Sequence, residues 1–118
     1  MYISNYFDLL GGTQMSEVLV DYAQVFNAMA DKFRLEILLY LYVNDERCVC
    51  HISDYFNIGQ SSISYHLKIL HEADIINKRQ VAVWNYYSLN QNSEVYKLLE
   101  NIFKNINMKE WIHNVSNE

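Results

Sequence analysis

Asn57-Ile58-Gly59-Gln60-Ser61-Ser62-Ile63-Ser64-Tyr65-His66-Leu67-Lys68-Ile69-Leu70 decides the fold of this 118-residue chain. Ile63, Leu67 and Leu70 recur at the spacing of a helix and predict its inward face. Asn57-Ile58-Gly59 reads as a tight turn, with Gly59 free to take a positive φ and a cap near Ser61 or Ser62. Upstream, Ile52 and Phe56 share one face of a short helix beginning near Cys50. A short helix, a glycine-containing turn and a second helix form a helix-turn-helix, whose second helix can lie in the DNA major groove. Gln60 suits an adenine edge, and Ser61, Ser62 and Ser64 suit phosphate or base. Tyr65, His66 and Lys68 complete the candidate face, His66 as a DNA or a packing residue. On spacing alone, an ordinary surface helix capped by serine fits as well.

Working outward, Val18, Leu19, Tyr22, Val25, Phe26 and Met29 predict a first helix from about Ser16. Residues 1–14, with Gly11-Gly12 and no clear period, read as a flexible arm before a single domain over 15–118. Asp31 is a plausible N-cap for a second helix through Leu35, Leu38, Leu39 and Tyr42, which Asn44-Asp45-Glu46 ends. After the recognition-type helix, Ile75–Arg79 and Val83–Leu89 are rich in β-branched and aromatic residues. They predict a two-stranded hairpin with its tip near Val81-Ala82. Lys78 and Arg79 at its opening suit a wing that touches the DNA backbone. Helical spacing returns from Ser93, at Val95, Leu98, Leu99, Ile102, Phe103 and Ile106, and continues through Met108, Trp111, Ile112 and Val115. The fold class is mainly α with a β-hairpin wing.

Composition sets an objection. Nine Lys and Arg against 14 Asp and Glu give a net charge of −5, which argues against indiscriminate binding to nucleic acid. Between Gln60 and Leu89, however, Lys68, Lys78 and Arg79 stand against Glu72 and Asp74. The proposed face is weakly positive on an acidic molecule, so a dimer is expected to be needed for tight binding. Apolar stripes on the first and last helices could form that dimer, with Tyr22 and Trp111 as candidate interface aromatics. Met1-Tyr2-Ile3-Ser4-Asn5-Tyr6-Phe7-Asp8 has neither the basic flank nor the apolar run of a signal peptide. The charge-free stretches Tyr55–Leu67 and Val81–Ser93 are too short and polar to span a membrane. A cytoplasmic, reducing setting is expected. No Ser-His-Asp arrangement, carboxylate pair or glycine-rich phosphate loop points to an enzyme.

Cys48-Val49-Cys50 is poor geometry for a structural disulfide but can share one soft ion. In an ideal helix, residues two apart point about 200° from each other; at an extended helix start they can converge. Two small buried hydrophobes, or a redox pair, are the alternative readings.

Three runs in order resemble the ArsR/SmtB family of metal- and metalloid-responsive repressors. They are Ala28-Met29-Ala30-Asp31-Lys32-Phe33-Arg34-Leu35-Glu36-Ile37-Leu38, the Gln60–Leu70 helix, and Arg79 followed by Tyr86-Tyr87-Ser88-Leu89. The resemblance implies a winged-helix homodimer, joined through its first and last helices, on an inverted-repeat operator of double-stranded DNA. It implies release by an inducer and no cofactor needed for folding. Glu46-Arg47-Cys48-Val49-Cys50-His51-Ile52-Ser53 is similar to the family segment whose thiolates take arsenite, antimonite or soft divalent ions. Cys48 and Cys50 are the implied ligands, and Ser53 stands where the family has a third Cys. His51, a partner-subunit residue or an outside thiol could complete the site. The family's other site, near the start of the last helix, has Gln91 and Ser93 at its positions and is not expected here; His113 stands alone. The wing tip, Val81-Ala82-Val83, lacks the family's usual Gly, and Ala73-Asp74-Ile75 replaces its Ala-Gly-Leu. Outside the family, an acidic winged-helix module that binds a protein remains the other reading.

Overall fold

The computed structural model describes residues 12–106. It contains five helices, α1 Gly12–Met29, α2 Lys32–Asn44, α3 Val49–Phe56, α4 Gln60–Glu72 and α5 Tyr96–Lys104, and three short strands. The strands are β1 Arg47–Cys48, β2 Ile76–Val81 and β3 Trp84–Leu89, paired antiparallel in the order β1-β3-β2. Residues 1–11 of the expected arm lie outside the described residues, as do Trp111, His113 and the segment Met108 to Val115.

α2 is the central element. Its Ile37, Leu38, Leu39, Tyr40 and Leu41 are buried in succession, so in mid-course it has no solvent face. Asp31 caps it as expected, in extended backbone, with its carboxylate accepting from the Arg34 N–H at 2.9 Å. That bond is the main reason the Asp31 carboxyl is held below its ordinary pKa. Around α2 pack Ile52 of α3, Ile63, Leu67 and Leu70 of α4, Ile76 and Tyr87 of the sheet, and Leu99 and Phe103 of α5. The inward residues expected for α4 are the ones found.

Three local expectations are corrected. α1 begins at Gly12 rather than near Ser16. Asn57, not Gly59, takes the left-handed backbone in the α3–α4 turn, with φ 55°, and Gly59 sits at φ −57°. Asn tolerates that region through its short polar side chain. Gly59 is also the N-cap of α4, and Ser61 and Ser62 lie within its first turn without capping it. The expected hairpin is present as β2 and β3, and a third strand that was not expected joins it where Arg47 and Cys48 pair with Tyr87 and Tyr86. At the tip, Ala82 takes φ 56°, the positive value usually left to Gly. Asp74, in the position of the family's Gly, has φ 64°, and the Asn90 side chain donates to its carbonyl at 2.9 Å.

Candidate nucleic-acid interface and cysteine pair

α4 presents two chemically distinct sides. Ile63, Leu67 and Leu70 are fully buried, and Gln60, Ser61, Ser62, Ser64, Tyr65 and Lys68 are all exposed. No side chain caps its N-terminus, so the Gln60 and Ser61 N–H groups stay open to an anion, while that of Ser62 already donates to the Gly59 carbonyl at 3.1 Å. Tyr65 is 62% exposed. Such exposure is unusual for an aromatic and suits a contact surface.

His66 is placed differently from its neighbours. It is half-buried, its ring is edge-on to Phe33 at 5.1 Å, and its Nδ1 lies 3.3 Å from Nη1 of Arg34. Of the two roles expected for His66, packing is the one its contacts describe. The same contacts expose a residue to which the sequence reading gave no role. Arg34 donates from Nε to the Ala28 carbonyl at 2.6 Å and from Nη2 to the Asn27 carbonyl at 3.4 Å. It therefore ties the carbonyl end of α1 to α4 and fixes the angle at which α4 is offered. Its place in the Asp31–Arg34 run was visible; its partners, six to 32 residues away, were not.

The wing holds Lys78 and Arg79 on exposed β2. Two of the three cations expected to favour DNA are already engaged. Lys68 pairs with Glu72 at 4.0 Å, and Arg79 makes a bidentate pair with Glu46 at 2.6 and 3.0 Å. Glu46 is held below the usual carboxylate range by the Arg79 hydrogen bonds, and Arg79 is raised by the same bonds. Lys78 has no ion-pair partner among the described residues. The face is therefore less positive than its charge count, and Glu46 brings an acid to the root of the wing.

Cys48 and Cys50 converge as the helix-start geometry allows. Cys48 is the N-cap of α3, in extended backbone at φ −70° and ψ 149°. Its Sγ accepts from the Cys50 N–H at 3.4 Å and lies 2.8 Å from the Cys50 Sγ. Both are free thiols, Cys48 buried and Cys50 half-buried. The hydrogen bond to Cys48, followed by desolvation, pushes the Cys50 thiol above its ordinary pKa. Ser53, in the third position, is buried and spends its hydroxyl on the Ile58 carbonyl, closing the turn before α4. His51 is exposed. Among the described residues no three His, Cys, Asp or Glu side chains form a metal-holding group. The residues present fit two soft ligands, with further ligands coming from outside them.

α1 leaves Val18, Leu19, Val20, Tyr22 and Phe26 exposed, and α5 leaves Leu98 and Ile102. Tyr22 hydrogen-bonds Glu94, in the turn leading to α5. No helix among the described residues is long and apolar enough to cross a membrane.

Known proteins match this arrangement. The family described as bacterial regulatory protein, arsR family, matches residues 31–78. The arsenical resistance operon repressor of Bacillus subtilis is 46% identical over 84 residues, covering 71% of this chain and 79% of that protein. A cadmium resistance transcriptional regulatory protein CadC homolog of Staphylococcus aureus is 32% identical over 84 residues, covering 71% and 69%. The homodimeric winged helix-turn-helix DNA-binding domain Mb0332 from Mycobacterium bovis superposes with a TM-score of 0.62 at 21% identity. That match covers 84% of this chain and 83% of the other, and the likeness is one of fold.

Proposed function

Because this chain belongs to the ArsR family of bacterial transcriptional regulators, we propose that it is a homodimeric repressor released from DNA by a thiophilic inducer. It is a regulator and not an enzyme. The operator is an inverted repeat, and the inducer is arsenite, antimonite or a soft divalent ion such as cadmium, held by Cys48 and Cys50 in the cytoplasm. The observation that carries the inducer reading is the convergence of the two sulfurs, 2.8 Å apart, at the start of α3. Thiolates select soft ions, and two side by side pre-form part of a site. The matches to an arsenical operon repressor and a cadmium regulator support the same ligand class.

In this reading α4 enters the major groove. Gln60 reads an adenine edge, Ser61, Ser62 and Ser64 bond phosphate or base, and Tyr65 and Lys68 extend the contact. Lys78 and Arg79 hold the backbone from the wing, and His66 keeps α4 seated on Phe33 and Arg34. The exposed faces of α1 and α5 pair with those of a second copy, setting the spacing of two α4 helices. Holding one ion requires the sulfurs to give up the proton of their mutual hydrogen bond and to move apart from 2.8 Å to the roughly 3.7 Å that two thiolates about 2.3 Å from a tetrahedral ion span, so the start of α3 changes shape. α3 and α4 are joined by a three-residue turn, and that change reaches α4.

Arsenite titrated into reduced protein on operator DNA tests the reading. Release is expected from wild type and not from Cys48→Ser. Equal release from both would show that the cysteines are not the inducer site.

A further inference from the structure

The cysteine pair is joined to the wing as well as to α3. Cys48 stands opposite Tyr86, and Tyr86 stands opposite Arg79, so one cross-strand row crosses the whole sheet. Side chains close the same path. Glu46, two residues before Cys48, accepts from Nη2 of Arg79 at 2.6 Å and from Nε at 3.0 Å. The Arg79 guanidinium also lies over the Tyr86 ring, 5.3 Å from its centroid. A bidentate guanidinium–carboxylate pair fixes direction as well as proximity. It occupies the Nε–Nη2 edge of Arg79, and Nη1 has no hydrogen-bond partner among the described residues. The pair is 59% and 36% exposed. Exposed pairs contribute little to stability, so orientation is the larger part of what this one provides.

We propose that Glu46 is a positioning residue that reports the state of Cys48 and Cys50 to the wing. With the thiols free, Glu46 holds Arg79 in one orientation, with the Nη1 edge available to a DNA phosphate. β1 has only two residues, one of them Cys48. Reshaping the backbone at Cys48 removes half of the β1–β3 register and moves Glu46, and Arg79 moves with it. The wing thereby loses its placed cation when the thiols are occupied. The inference rests on the inducer reading above, and it adds a second route from the thiols to DNA, independent of α3 and α4.

The test uses the full chain, with Trp111→Phe introduced for the fluorescence readings alone, where it leaves Trp84 of β3 as the one tryptophan, and with Trp111 retained wherever operator affinity is read. Phenylarsine oxide bridges two thiols with loss of one water, and iodoacetamide alkylates the half-buried Cys50 with loss of hydrogen iodide; mass spectrometry confirms each product. Trp84 emission and anisotropy are read without DNA, and operator affinity is read with and without the arsenical. Wild-type Glu46 protein should show a Trp84 response and a fall in affinity of about tenfold or more, within the usual range of coupling between two sites. Glu46→Gln and Arg79→Lys, checked for folding by circular dichroism, should each lose most of the Trp84 response, and the double variant should lose no more than either. A Trp84 response that is absent in wild type after confirmed modification, or equal in Glu46→Gln, overturns the proposal. Tighter operator binding by unmodified Glu46→Gln also overturns it, because Glu46 would then be competing with phosphate. If the arsenical fails to bridge the thiols or to release DNA, the inducer reading falls, and Cys50 alkylation still decides the coupling. If DNA is released equally from wild type and Glu46→Gln, the coupling falls and the inducer reading stands.

Discussion

α4 and α1 both carry apolar residues at helical spacing, and the fold treats them in opposite ways. In α4, Ile63, Leu67 and Leu70 are fully buried in this chain's own core, and Ser64, Tyr65 and Lys68 between them are exposed. Among the described side chains of α1 only Met15, Ala28 and Met29 are buried, while Leu19 is 56% exposed, Val20 65% and Phe26 53%. A core finished by one chain and a stripe left bare by it are different energetic situations. The first is stabilised within the protomer; the second gains only when another surface covers it. Periodicity reports the stripe in both cases and says nothing about its partner.

The largest expected effect tests the finished side. Leu67→Ala should lower stability by about 2–5 kcal/mol in urea unfolding, since it removes a fully buried side chain from beneath α4. A loss well under about 1 kcal/mol would mean that the core under α4 is not packed as described. The bare side should respond otherwise. Leu19→Glu should leave the helical circular dichroism of the protomer intact and abolish dimers in sedimentation. Affinity for an inverted repeat should then fall by roughly a hundredfold, because two linked half-site contacts become independent ones. Affinity for a single half-site should hardly change. If Leu19→Glu sediments like wild type, the α1 face is not the dimer surface; if it unfolds as Leu67→Ala does, α1 belongs to the protomer core.

The same contrast explains what was legible. Asp31 as a cap, the inward set of α4 and the hairpin each follow from residues within a turn or a strand of one another. The helix-turn-helix could be located for that reason. In the α3–α4 turn, Asn57 and Gly59 can both take a positive φ, and only the packing of Ile58 and the turn geometry choose Asn57. β1 was not legible, because two residues have no period; its existence depends on Tyr86 and Tyr87, nearly 40 positions later. The Glu46–Arg79 pair, 33 residues apart, was hidden with it. The candidate site was thus readable as residue types and unreadable as connections: Cys48 and Cys50 could be named, and their attachment to the wing could not.

The smallest expected effect separates α4 from the wing within the DNA face itself. Gln60 and Ser64 project from the first turns of α4 and are exposed, whereas Arg79 would meet DNA with one edge already bonded to Glu46. Base-edge contacts discriminate sequence, and phosphate contacts do not. Gln60→Ala or Ser64→Ala should therefore weaken operator binding by about 1–3 kcal/mol and change the preferred base at one position in each half-site. Arg79→Ala should weaken binding to operator and to unrelated DNA alike and reduce the salt slope by about one contact per protomer. Affinities measured at several salt concentrations on operator and scrambled duplexes read both quantities. A change of base preference in Arg79→Ala, or a uniform loss in Gln60→Ala, would reverse the two assignments. Since Glu46 already neutralises part of the arginine's charge, a salt-slope change well below one contact would mean that Arg79 stays with Glu46 on DNA. Lys78 would then be the wing's phosphate contact.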